Sequence, residues 1–238
     1  NRLMVKIEIC TGSYRESLEA ADAGASRIEL CSALSIGGLT PSIGITKQII
    51  KDIKKTCEVH VMIRPTEGGF CYSEQEFNAM KETIKAMAQC GVNGIVFGIL
   101  DNNMNFNLHR TNELVILAKK HNLITTIHRA IDVCQNPNEA LEKLINIGVD
   151  RILTSGQQKK AIDGISIIQS MIERCNGKIE IMPGSGINET NALQFVNIGA
   201  KSVHFTARKS IDNNNDFGFG ADYEFDFQKF NTINNLLN

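Results

Sequence analysis

The sequence has no excess of charge of either sign. Its 25 Lys and Arg stand against 26 Asp and Glu, a formal net charge of −1. There is therefore no basic surplus calling for nucleic acid and no acidic block of the kind found in solvated tails. The lysine pairs Lys54-Lys55, Lys119-Lys120 and Lys159-Lys160 fall on or beside expected helices and read as solvated helix faces. No apolar run approaches the roughly 20 residues needed to span a bilayer. No charged head with an apolar stretch precedes the first expected strand at Val5, so no signal peptide and no membrane partner are expected. The seven cysteines are scattered, odd in number and without a CxxC pair. A disulfide framework is not expected, and reduced thiols in the cytoplasm are. No motif implies an organic cofactor, and no composition shift marks a linker or a second domain.

What the chain does have is alternation. Short apolar, β-branched runs recur at Val5–Cys10, Arg27–Cys31, Glu58–Ile63, Gly94–Leu100, Leu123–His128, Arg151–Thr154, Lys178–Met182 and Lys201–Thr206. Each has strand length. Between them lie stretches with helical spacing: Ser13–Ala23, Ser42–Lys55, Ser73–Cys90, Asn107–His121, Asn136–Ile147, Gln157–Cys175 and Asn188–Ile198, with Glu224–Leu237 last. Phe77, Met80, Ile84 and Met87 share one face of the third. Ser73 with Glu76 forms a capping-box pattern, and Asn188 with Glu189 can start the seventh. Gly24, Gly91, Gly148, Gly177 and Gly199 follow helical stretches, where a left-handed residue can end them.

Uninterrupted alternation implies a parallel sheet covered by helices, and eight units favour closure over an open sheet. The expected fold is α/β, a single (β/α)8 TIM barrel with a closed parallel sheet spanning residues 1–238. One irregular stretch, Ser210–Tyr223, with Asn213-Asn214-Asn215 and Gly218-Phe219-Gly220, reads as a flexible loop before the last helix.

In such a barrel, chemistry gathers at the carboxyl ends of the strands. Glu8 and Cys10 on the first strand, and Glu29 and Cys31 on the second, are two apart and share a face. If Ile7, Ile9, Ile28 and Leu30 pack under the helices, the other four point into the barrel. Buried carboxylates need partners, and Arg27, Arg64 and Arg129 are candidates. Cys10 and Cys31 can hold a soft metal such as Cu(I), although buried cysteine also serves as a small space filler. His128, Arg129 and Asp132 can do acid–base work or bind an acidic substrate; His128 can equally be a satisfied core histidine. Arg64 before Pro65 either neutralises the glutamates or clamps a carboxylate or phosphate. Gly184, Ser185 and Gly186 form a small-residue turn ahead of an expected helix start, suited to an anion or simply to a tight turn.

Taken together these segments resemble the copper homeostasis protein CutC family, up to about Arg208. The carriers are Glu8-Ile9-Cys10, ASRIELCS at Ala25–Ser32, GGLTPS at Gly37–Ser42, VMIRP at Val61–Pro65, GIVFG at Gly94–Gly98, HRAID at His128–Asp132, RILTSG at Arg151–Gly156, MPGSGI at Met182–Ile187 and HFTAR at His204–Arg208. The resemblance implies a TIM barrel, a cytoplasmic setting, a homodimer or higher homo-oligomer, and Cu(I) binding at Cys10 and Cys31. The chain departs from the family pattern at Thr66, where Arg is usual, at Ile131, usually Phe, and at Ser185, often Gly. The missing Arg weakens a double-arginine anion clamp. Two functions remain in view. One is Cu(I) binding through Cys10 and Cys31. The other is an enzyme acting on a small phosphorylated or carboxylated metabolite, with Glu8, Glu29, Arg64, His128, Arg129 and Asp132 lining its site and Gly184, Ser185 and Gly186 holding the anion.

Overall fold

The computed structural model describes residues 4–211 and 220–238. Its elements follow in order as β1 Lys6–Thr11, α1 Tyr14–Ala23, β2 Arg27–Leu30, α2 Ile43–Asp52, β3 Glu58–Met62, α3 Glu74–Cys90, β4 Gly94–Phe97, α4 Leu108–Lys120 and β5 Ile124–Ile127. Then come α5 Ala130–Val133, α6 Pro137–Ile147, β6 Arg151–Thr154, α7 Ile165–Cys175, β7 Glu180–Pro183, α8 Ala192–Asn197, β8 Ser202–Phe205, β9 Arg208–Ile211, β10 Asp222–Phe225 and α9 Phe227–Leu237.

Strands β1 to β8 form one parallel sheet in chain order, with β8 beside β1. A parallel bridge between Gly184 and His204 joins β7 to β8 and closes the barrel. Most strands are buried on both faces, as a parallel sheet under helices requires. Outward residues such as Ile28, Val59, Ile95 and Val203 join the large apolar core beneath the helices. The inward rows are different in kind: Glu8, Arg27, Glu29, His60, Arg151 and His204 are all buried.

Helix starts follow local chemistry. The side chains of Ser13, Ser42, Ser73 and Asn107 accept from first-turn amides, and Ser73 with Glu76 completes the capping box. Gly24, Gly91 and Gly148 take the left-handed conformation at helix ends.

Four stretches differ from the sequence expectation. Residues 157–164 are not α-helical: a 3-10 turn at Ala161–Gly164 precedes α7, and Gly156 and Gly164 approach so closely that a Cβ at Gly164 would sit 2.8 Å from the Gly156 carbonyl oxygen. The seventh helix begins at Ala192, because Asn188 turns its side chain onto the Thr190 amide at 2.9 Å instead of capping the helix. The HRAID segment starts a one-turn helix, α5, that periodicity is too short to reveal. The stretch read as a loop at Ser210–Tyr223 begins and ends in an antiparallel ribbon, β9 on β10, with Tyr223 opposite Ser210; residues 212–219 lie outside the described residues.

Candidate metal and ligand site

Two layers occupy the barrel interior. In the lower one, charges of opposite sign are paired. Arg27 Nε donates to Glu8, and Arg27 Nη1 lies 3.6 Å from Glu58 Oε2. Arg151 Nε donates to Glu180 Oε2 at 2.9 Å and Arg151 Nη1 to Thr126 at 3.2 Å, while Ser202 donates to Glu180. Arg27 thus fills the partner role expected for it. Arg64 and Arg129 do not, because their guanidiniums turn to loops. Arg64 donates to the carbonyls of Ile36, Gly38 and Gly68 at 3.2, 3.0 and 2.9 Å, tying the loop after β2 to the loop after β3. Arg129 Nε donates to Asp132 at 2.8 Å and Nη2 to Ser155 at 2.7 Å.

Asp132 is saturated by its neighbours. It accepts from the Ser155 and Gln157 amides at 2.9 and 3.1 Å and from Thr154 Oγ1 at 2.5 Å, so it braces the loop after β6. His128 Nδ1 accepts from the Ala130 amide at 3.1 Å, and its ring lies 4.6 Å from that of Phe70. Burial, with help from the Arg64 charge, pushes the His128 pKa down to about 3, so the ring is neutral. Gly98 is required beside it, since a Cβ there would fall 2.6 Å from His128 Cε1.

The upper layer holds the acid–thiol cluster. Cys10 and Glu29 are register partners on β1 and β2, and Cys31 lies two residues beyond Glu29. The inward alternation expected from the sequence brings their ligand atoms together: a Cys10 Sγ, a Glu29 oxygen and Cys31 Sγ all lie within 4.8 Å of one another. Atoms of Glu8, Glu29 and His204 form a second such group. His204 Nδ1 bonds Glu8 Oε1 at 2.7 Å, and its Nε2 lies 3.8 Å from Glu29 Oε2. Cys31 Sγ donates to the same Glu29 oxygen at 3.6 Å. Glu29 Oε1 is buried with no hydrogen-bond partner.

Burial tends to protonate Glu8, but the charges of Arg27 and His204 outweigh it and hold the pKa well below the usual carboxylate range. Burial also opposes charge on His204, yet Glu29, Cys10 and Glu8 raise its pKa well above the ordinary imidazole value. Glu29 is pushed up, chiefly by burial. The Cys10 thiol is raised by its hydrogen bond with Cys31 and by burial. The bond with Cys10 lowers Cys31, but burial and the Glu29 charge carry it up to about 11. Both sulfurs therefore hold their protons in the metal-free protein.

Above this floor opens a cavity of about 670 Å³. Cys10, Glu29, Met62 and His204 line it, and so do Arg64, His128 and Arg129. Ser185 and Gly186 reach it as well, from a turn in which Ser185 has φ +84°. The turn is held by Ser185 Oγ donating to the Lys159 carbonyl at 2.7 Å, and the α8 amino terminus lies several residues farther on. The helix start expected directly behind this turn is thus displaced. Four residues that face the cavity stand outside the candidates drawn from the sequence. His204 was visible as an alternate residue of the eighth strand, in step with Ser202 and Thr206. Met62 was visible by the same parity on the third. Arg208, the last residue of the HFTAR segment, and Lys229 of α9 also face the cavity; of the two, only Lys229 carries no local signal.

Comparison with known proteins bears on the family and the fold. The CutC family profile matches residues 5–209. A CutC family protein of Treponema denticola is 43% identical over 206 residues, covering 86% of this chain and 82% of that protein. One from Bacteroides fragilis is 40% identical over 205 residues, covering 86% and 80%. A solved structure from Streptococcus agalactiae, named for CutC and copper homeostasis, superposes with a TM-score of 0.79 at 31% identity, covering 85% of this chain and 99% of that one.

Proposed function

Because the chain belongs to the CutC family, we propose that it serves copper homeostasis by holding Cu(I) at Cys10 and Cys31. The observation that carries this reading is the convergence of two buried thiols and a carboxylate, one of whose oxygens is buried without a hydrogen-bond partner. Thiolates suit a soft monovalent ion, and the surrounding Glu8 and Glu29 favour a cation over a second proton store. In this reading Cys10 and Cys31 supply the sulfur donors, while Glu29, Glu8 and His204 set the local charge. The reduced state of all seven cysteines supports a cytoplasmic setting. No helix among the described residues is long and apolar enough to cross a membrane. A homodimer or higher homo-oligomer is part of the proposal on the strength of the family.

The test is a titration of Cu(I) against a competing chelator. The wild type should compete, and the Cys10→Ser/Cys31→Ser double variant should not. Equal affinity in the two proteins would end the proposal.

One observation favours a second reading. A cavity of about 670 Å³ is far larger than an ion needs, and Arg64, Arg129 and Lys229 face it. These suit a small phosphorylated or carboxylated metabolite, with Ser185 and Gly186 beside the anion, Glu29 and His128 as the reacting wall, Glu8 beneath it bonded to His204, and Asp132 positioning Arg129. Millimolar phosphate should then raise the melting temperature, as any ligand of the folded state must. An unchanged melting curve would leave the cavity without that role.

A further inference from the structure

We infer that Met62 is a third sulfur ligand of the Cu(I) site, an inference that rests on the copper reading above. The apolar interior divides into one large core under the helices and one small separate cluster inside the barrel. That small cluster consists of Cys10, Cys31, Met62 and Val96, with Leu34 packed against it. Three of its four buried members carry sulfur.

The backbone register explains why they meet. On β2 and β3, Glu29 faces His60 and Leu30 faces Val61, so the next step along both strands sets Cys31 beside Met62. Met62 shares the inward parity of Glu58 and His60 on β3. It is 5% exposed. No backbone requirement asks for methionine at this strand position, where a β-branched residue would serve the sheet better. A thioether is a neutral, polarisable donor that suits Cu(I) and adds no negative charge to a pocket that already holds two carboxylates. Met62 also lines the cavity, as Cys10 does. The Met62 residue therefore both packs in the cluster with the two cysteines and borders the open side, from which an ion would arrive.

Leucine nearly matches methionine in volume, so Met62→Leu keeps the packing and removes the donor. The experiment compares wild type, Met62→Leu and Cys10→Ser/Cys31→Ser, each loaded anaerobically with Cu(I) alone. Affinity is read by chelator competition and the sulfur count at copper by X-ray absorption. Melting curves check that each variant is folded. The wild type should show three sulfur neighbours. Met62→Leu should show two and bind about ten- to a hundredfold more weakly, a loss of the size seen when supporting residues of metal sites are removed. The double variant should not bind. If Met62→Leu matches the wild type in affinity and sulfur count while the double variant fails to bind, the methionine has no role and the copper reading survives. If wild type and double variant bind alike, both fall.

Discussion

The two layers of the barrel interior are built from the same inward-facing rows of the same strands, yet they settle their charges differently. In the lower layer Arg27 stands against Glu8 and Glu58, and Arg151 against Glu180. In the upper layer two thiols and two carboxylates meet one imidazole, and Glu29 Oε1 is left without a partner. Buried charges that match each other hold a structure in one arrangement. A buried acid set with fewer cations than carboxylates must keep a proton or take up a cation. Glu8 belongs to both layers, bonded to Arg27 on one side and His204 on the other. The comparison predicts that damage below reads out as lost stability and damage above as lost binding.

The largest effect should come from Arg27→Met, which leaves buried Glu8 with His204 alone. Removing one partner of a buried pair costs roughly 3–5 kcal/mol, measurable by urea denaturation. A loss near zero would mean that the lower layer is not a structural web.

The next effect separates the layers by pH. The neutral His128 ring in the cavity wall has a pKa of about 3, against an unfolded value of about 6.5. Below pH 6.5 the unfolded chain takes up a proton that the folded chain refuses, so the stability due to this residue is complete above 6.5 and drains away between 6.5 and 3. In the lower layer Glu58 is held down to about 2 by His60, against the pull of burial and with help from Lys6. Its contribution is complete above the usual carboxylate pKa and fades only as pH falls toward 2. Acid sensitivity between pH 6.5 and 4.5 should therefore come from the wall, with buried His60, also lowered, adding in the same direction. His128→Asn keeps an acceptor for the Ala130 amide and should flatten the stability profile in that window. An unchanged slope would assign the sensitivity elsewhere.

The smallest change in stability should come from Cys10→Ser/Cys31→Ser. Exchanging buried thiols for hydroxyls should cost about 1 kcal/mol per site in unfolding experiments. A loss equal to that of Arg27→Met would place the thiols in the structural web and erase the contrast.

How far the sequence reveals this contrast depends on the range of the signal. The eight strands and the inward aim of Glu8, Cys10, Glu29 and Cys31 follow from period-two alternation, which each strand carries within itself. The capping box at Ser73 and Glu76 is equally local. The destinations of Arg64 and Arg129 are only partly so, because the carbonyl of Gly38 and the hydroxyl of Ser155 become their neighbours only when loops from different strands fold over the barrel mouth. The delayed start of α8 depends on an Asn188 turn that competes with capping, and the β9–β10 ribbon is too short and polar to show as alternation. His204 needed only the parity argument already applied to strands one and two. The closure expected for eight units sets strand eight beside strand one, so that parity then carries His204 to Glu8.

The most direct test is anomalous diffraction at the copper edge from crystals loaded with Cu(I) under reducing, oxygen-free conditions. A single strong peak between Cys10 Sγ and Cys31 Sγ, next to Met62 at the cavity floor, is the expected result. A peak only at the exposed thiol of Cys71, with none inside the barrel, would contradict the account.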